Sequence, residues 1–97
     1  MPYKLRVPDQ IVRLIRGMHP LLKKRIRAAL NEICLNPSIG KSLREELSGL
    51  KSYRIKKFRI IYQVIKPKEI NIIAIGPRKT IYEETFRLVK KNKKSWI

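Results

Sequence analysis

Five cations fall within the nine residues from Lys51 to Arg59, namely Lys51, Arg54, Lys56, Lys57 and Arg59, with Tyr53 and Phe58 between them. Arginine and lysine only donate hydrogen bonds, so so dense a cluster is suited to an anion, above all to a phosphate held by several charge-assisted bonds. Arg54 and Arg59 stand inside predicted strands, and on paired antiparallel strands two such side chains can converge on one phosphate. Lys56 and Lys57 stand near a predicted turn, where lysine also blunts a sheet edge against aggregation, and for them both readings stay open. A second constellation, Gly76-Pro77-Arg78-Lys79-Thr80-Ile81-Tyr82-Glu83-Glu84, follows the last apolar run. A Gly-Pro that ends a strand aims Arg78 out from the sheet edge, and Tyr82 then opens a helix. The plainer reading makes Gly76-Pro77 a turn and Tyr82 a packing aromatic.

Several other chemistries are excluded by what the chain lacks. A single histidine, His19, cannot form the two-imidazole acid-base pair of many ribonucleases, and its place beside Pro20 suits a structural role. No functional metal or cofactor is expected. Cys34 falls on the apolar stripe of a helix, and Glu45-Glu46 and Glu83-Glu84 are adjacent pairs pointing different ways. The four glycines are isolated, so no glycine-rich phosphate loop exists. What remains is phosphate chemistry run by cations and tyrosine. In RNA the ribose 2′-hydroxyl can itself attack the adjacent phosphate, leaving the protein to orient it, move protons and stabilise the charge that develops. Crowded cations ease proton loss from a neighbouring lysine or tyrosine, so a base is available without histidine.

These residues need a scaffold, and the pattern supplies one. Tyr3, Leu5 and Val7 alternate with Lys4 and Arg6, the period of a short strand. From Asp9, a candidate cap, Ile11, Leu14, Ile15 and Met18 recur at helical spacing. Gly17 and His19-Pro20 end that helix, and Pro20 opens a second whose stripe is Leu22, Ile26, Ala29, Leu30 and Ile33. Asn36-Pro37 stops it. A connector follows with a capping-box pattern, Ser42-Leu43-Arg44-Glu45, which predicts a short helical turn. Residues 52–57, 58–65 and 70–75 then read as three strands with short links, hence an antiparallel meander, the second turn lying at 66–69. The run 70–75, apolar at nearly every position, is expected in the middle of the sheet. Tyr82 to Lys91 reads as a helix and 90–94 as a solvated basic tail. The expected fold is α+β, in the order strand, helix, helix, three strands and a C-terminal helix. One antiparallel sheet packs against a helical hairpin, with its other face less covered.

Ninety-seven residues suit one domain, here 1–97, because a chain this short has no surface to spare for a second core. With 43% hydrophobic residues it folds despite 24 Lys and Arg against seven Asp and Glu, a formal charge of +17. Such a charge is better tolerated beside an anionic partner, nucleic acid first, an acidic protein next and a membrane surface last. A lone cysteine forms no intrachain disulfide, which points to a reducing compartment and the cytoplasm. No signal-peptide pattern and no run of about 20 apolar residues is present, so no membrane partner is expected.

The chain resembles the RelE/ParE superfamily of type II toxins. The likeness rests on the strand-helix-helix-strands order, on Leu47-Ser48-Gly49-Leu50, on Tyr53-Arg54-Ile55 and Phe58-Arg59-Ile60-Ile61-Tyr62, and on the run from Ile75 to Glu83. The resemblance implies a cognate acidic antitoxin and, for RelE-like members, a ribosome-dependent endoribonuclease that cuts mRNA. It assigns phosphate binding and charge stabilisation to Arg54, Arg59 and Arg78, and proton transfer to Lys56 and Tyr82. Lys51, Tyr53, Lys57 and Lys79 would add RNA contacts. The hairpin is shorter than in well-known RelE proteins, and its Lys56-Lys57 turn lacks the Gly or Asn that tight hairpins favour. The same superfamily offers a second implication, a ParE-like inhibitor of DNA gyrase with no nuclease chemistry. A plain nucleic-acid-binding module is the third reading.

Overall fold

The computed structural model describes the chain over residues 3–65 and 68–95, with side chains as far as Lys90. A short strand, β1 (Lys4–Arg6), leads into helices α1 (Asp9–Arg16) and α2 (Pro20–Leu35). A 3-10 turn at Pro37–Ile39, the two-residue strand β2 (Lys41–Ser42) and a second 3-10 turn at Glu45–Leu47 form the connector. Strands β3 (Lys51–Ile55), β4 (Phe58–Ile65) and β5 (Glu69–Pro77) follow, and α3 (Ile81–Ser95) closes the order.

The three long strands pair as the expected antiparallel meander, and the sheet order is β1-β5-β4-β3-β2. The sheet as a whole is mixed, because β1 runs parallel to β5, Leu5 standing opposite Ile70. Parallel pairing is available here because the intervening helices and strands carry the chain across the sheet and back. β5 is thus an inner strand, in keeping with its near-continuous apolar run.

Each face of the sheet has its own core. The helical hairpin packs on one face through Ile11, Ile26, Ala29, Leu30 and Ile33 against Ile60, Tyr62, Ile70, Ile72 and Ile75. On the opposite face, Ile61 and Ala74 meet Leu50 and Ile81, with Leu43, Leu47 and Val89 around them. That second face is therefore covered by α3 and the connector. Ile81, the first residue of α3, is wholly buried, which contributes about 1.5–3 kcal/mol and fixes where the helix begins. Acidic Glu83 and Glu84 in the first turn suit the positive end of its dipole.

Several local expectations give way to tertiary structure. Pro8, not Asp9, is the residue before α1, and no side chain caps that helix. Ser42 joins β2 opposite Lys51 and accepts a 2.9 Å bond from its ammonium, so the capping box does not form and the turn begins after Arg44. Leu14, expected inside, is 46% exposed. Helix α3 runs on to Ser95, so the basic stretch continues the helix rather than forming a separate tail. Its side chains beyond Lys90, and the turn residues Lys66 and Pro67, lie outside the described residues. His19 caps α2, its Nδ1 accepting from the Leu21 N–H at 3.1 Å. Among the described residues no helix is long and apolar enough to cross a membrane.

Candidate functional site

The tight hairpin between β3 and β4 sets the site. Ile55 is the last residue of β3 and pairs with Phe58, leaving Lys56 and Lys57 as the two-residue loop. Lys56 has φ of +52°, a left-handed conformation that costs an L-residue about 1–2 kcal/mol and that tight hairpins usually give to glycine. One pair back, Arg54 stands directly opposite Arg59. Strand alternation then divides the neighbouring residues between the faces. Tyr53, Ile55, Phe58 and Ile60 point to the helical hairpin, while Ser52, Arg54, Arg59 and Ile61 point to the face that carries α3.

Two layers of cations result. The outer layer surrounds an open cleft of about 720 Å3 lined by Arg54, Lys56, Lys57, Pro77, Arg78 and Lys79. Its two walls are tied together, because the Arg78 backbone N–H donates to the Lys57 carbonyl at 2.7 Å and Pro77 pairs with Phe58. The Arg54 Nε lies 3.3 Å from the Lys56 carbonyl, which turns that side chain toward the loop.

The inner layer is a trio behind the cleft. The Arg59 guanidinium lies over the Tyr82 ring, 5.6 Å from its centroid, and its Nη1 donates to the Ser52 hydroxyl at 2.9 Å. The Tyr82 hydroxyl sits 3.2 Å from the same Ser52 oxygen. The Arg59 Nε–H is buried without a partner, an unspent donor on a cation. Gly76 stands opposite Arg59, and a Cβ there would meet the Ile81 Cδ1 at 2.9 Å. Glycine at this point lets α3 start close against the sheet, which is what brings Tyr82 to Arg59.

The electrostatics of the site are one-sided. Among the described residues the ion pairs are Arg6 with Glu69 and Arg87 with Glu83, and neither touches the cleft. Arg54 and Arg59, like charges placed directly opposite each other, repel rather than stabilise. An anion entering the cleft would relieve that repulsion and engage donors that no carboxylate among the described residues already holds. Among the described residues no group of three or more His, Cys, Asp or Glu could hold a metal. Burial pushes the Cys34 thiol up from its ordinary value, which disfavours the reactive thiolate.

The structure thus gathers Arg54, Lys56, Lys57, Arg78 and Lys79 around one cleft and places Arg59 and Tyr82 beside it. Lys51 and Tyr53 belong to the opposite face. Lys51 is engaged with Ser42, and the Tyr53 hydroxyl donates to the Glu32 carboxylate on α2 at 2.6 Å. That bond, with burial, holds the Tyr53 phenol above its usual range. Ser52 is the residue that sequence reasoning missed. Its signal was phase, since it stands two positions before Arg54 and so shares its face.

A family model for the ParE toxin of the type II toxin-antitoxin system parDE matches residues 4–82. No curated protein matches the sequence. Among solved structures, the RelBE2 toxin-antitoxin complex of Mycobacterium tuberculosis has a chain 25% identical, with a TM-score of 0.71 over 80% of this chain and 100% of that one. A free variant of the Escherichia coli toxin RelE with two arginines replaced by alanine is 21% identical, with a TM-score of 0.74 over 95% and 98% of the two chains. The archaeal RelE-RelB complex of Pyrococcus horikoshii is 23% identical, with a TM-score of 0.65 over 80% and 97%.

Proposed function

The chain belongs to the family of ParE toxins of type II toxin-antitoxin systems, and we propose that this toxin is a metal-independent endoribonuclease that cuts mRNA and so blocks translation. The observation that carries this reading is the pairing of Arg54 with Arg59, two mutually repelling arginines on one face, beside a cleft whose cations no carboxylate among the described residues neutralises. A fold keeps such a pair at a cost, and a bound phosphate removes the cost.

The chemistry follows from the substrate. The ribose 2′ oxygen attacks the adjacent phosphorus as the bond from phosphorus to the 5′ oxygen breaks, leaving a 2′,3′-cyclic phosphate and a 5′-hydroxyl. The 2′ proton must go to a base, for which Lys56 is the candidate, and the departing 5′ oxygen must receive one, for which Tyr82 is the candidate. Arg54, Arg59 and Arg78 stabilise the charge on the non-bridging oxygens, with Lys57 and Lys79 adding contacts to the RNA backbone. Lys51 and Tyr53, on the other face, have no part in this step.

Its partners would be mRNA, the ribosome on which the mRNA is read, and an acidic antitoxin. Several structural neighbours are complexes of RelE-type toxins with RelB-type antitoxins. An acidic antitoxin fits a chain of net charge +17. The test is a translation extract in which mRNA ends are mapped by primer extension after adding the toxin, Arg78→Ala or Tyr82→Phe. Wild type produces new ends and both variants lose most of them; equal cutting by both variants overturns the site.

The family model favours one other reading, a ParE-like inhibitor of DNA gyrase without nuclease chemistry. Purified gyrase in a supercoiling assay separates the two, since inhibition without RNA cutting reverses the order.

A further inference from the structure

Building on the nuclease reading, we infer that Ser52 is a positioning residue that holds the Tyr82 hydroxyl in place for its proton transfer. Ser52 is 2% exposed. The other buried polar residue among those described, Thr85, uses its hydroxyl within α3, donating to the Ile81 carbonyl at 2.7 Å. Ser52 instead serves two side chains of the site, at 2.9 Å from Arg59 Nη1 and 3.2 Å from the Tyr82 oxygen.

The direction of these bonds can be worked out by counting. A serine hydroxyl has one proton to give and two lone pairs to receive, whereas a guanidinium only gives. Arg59 therefore occupies one lone pair of Ser52, and the Tyr82 hydroxyl donates into the other. Ser52 thus anchors the Tyr82 oxygen beside Arg59, and its own proton is committed to neither partner. Stacking of Arg59 over the Tyr82 ring holds both partners in register.

In the cleavage step, the bond from the 2′ oxygen to phosphorus forms and the bond to the 5′ oxygen breaks. Tyr82 gives its proton to that 5′ oxygen, and the Ser52 hydroxyl then turns its own proton to the negative charge left on the phenol oxygen. Ser52 touches no substrate atom and acts through Tyr82.

The test uses the full chain as wild type, Ser52→Ala, Ser52→Thr, Tyr82→Phe and the Ser52→Ala/Tyr82→Phe double variant, with mRNA in a translation extract. Ser52→Ala should slow cutting at saturation about tenfold, with little change in the half-saturating concentration, as expected for losing one hydrogen bond made to a reacting group. Ser52→Thr, which keeps the hydroxyl, should recover most of the rate. The double variant should cut no more slowly than Tyr82→Phe alone, because Ser52 has nothing to position once the phenol oxygen is gone. Thermal melts of each protein separate slow cutting from poor folding, and Ser52→Cys, similar in volume but a weak hydrogen-bonder, should behave like Ser52→Ala if the latter folds poorly. A Ser52→Ala protein that cuts at the wild-type rate overturns the inference, as does a loss that multiplies with that of Tyr82→Phe. A wild type that cuts no RNA overturns the nuclease reading and this inference with it, whereas an active wild type beside an unimpaired Ser52→Ala removes only the role of Ser52.

Discussion

Replacing Tyr62 by phenylalanine removes one oxygen from the middle of β4, and the structure states what that oxygen does. Tyr62 is fully buried, donates to the Pro37 carbonyl at 2.7 Å and accepts from the Gly40 N–H at 2.9 Å. One hydroxyl thereby satisfies both ends of the 3-10 turn that follows α2. Phenylalanine fills the same space but leaves a donor and an acceptor without partners, each at about 1–3 kcal/mol when buried. Pro37 and Gly40 are only half-buried, so water recovers part of the loss and a total of about 2–3 kcal/mol is expected. For a domain of this size that lowers the thermal midpoint by about 10–20 °C. Urea unfolding followed by circular dichroism should show a lower midpoint with an unchanged slope. Alkaline pH gives a second reading. Burial raises the Tyr62 phenol above its ordinary value, against the opposing effect of the Gly40 hydrogen bond. A phenol raised on folding keeps its proton longer in the native state than in the unfolded chain. Its contribution is complete below the unfolded value, near pH 10, and is lost as pH climbs through the folded value. Tyr53, raised by its bond to Glu32, behaves the same way, so the Tyr62 share is the difference between wild type and variant. A midpoint lowered by less than about 4 °C, together with an unaltered alkaline slope, would refute this account of the turn.

Three further outcomes follow from the geometry. Gly40→Ala should destabilise by about 1–3 kcal/mol in urea unfolding, because its Cβ would lie 2.5 Å from a Tyr62 oxygen that cannot retreat; a neutral result would mean that the turn shifts freely. Lys56→Gly should raise stability by about 0.5 kcal/mol, the left-handed strain it relieves exceeding the entropy it adds, and a lower melting point would show that the loop is not strained. Arg54→Ala should have opposite effects on folding and binding. Relief of repulsion with Arg59 raises stability by about 0.2–1 kcal/mol at low salt, and affinity for single-stranded RNA falls with a salt slope shallower by about 0.7. Unchanged slope would place Arg54 outside the phosphate contacts.

Much of the fold is legible in the sequence alone. The period-two alternation through residues 52–62 puts Arg54 and Arg59 on one face once the turn is set at 56–57, and the Gly-Pro that ends β5 marks where Arg78 leaves the sheet. The same alternation places Tyr53 and Lys51 on the far face. Density of charge alone had grouped them with the arginines, and tertiary contact with Glu32 and Ser42 separates them. Other features leave no local trace. Pairing of β1 with β5 joins residues more than 60 positions apart, and Gly40 has an ordinary backbone conformation whose need for glycine arises only when Tyr62 packs over it. Ser42 fits a capping box by spacing, but the β2–β3 ladder claims it first.

That parallel pair bears on when the protein becomes dangerous to the cell that makes it. β1 is made more than 60 residues before its partner residues Glu69–Asn71, and Tyr82 comes later still. Helices α1 and α2 can form early, since their hydrogen bonds are local, but they have no sheet to cover until the last strand arrives. A nascent chain interrupted before β5 therefore carries a hairpin without a core and half of a cation cluster without Arg78 or Tyr82. The order of the strands delays assembly of the candidate site until β5 and Tyr82 have been made, which leaves an antitoxin that interval of synthesis in which to be ready.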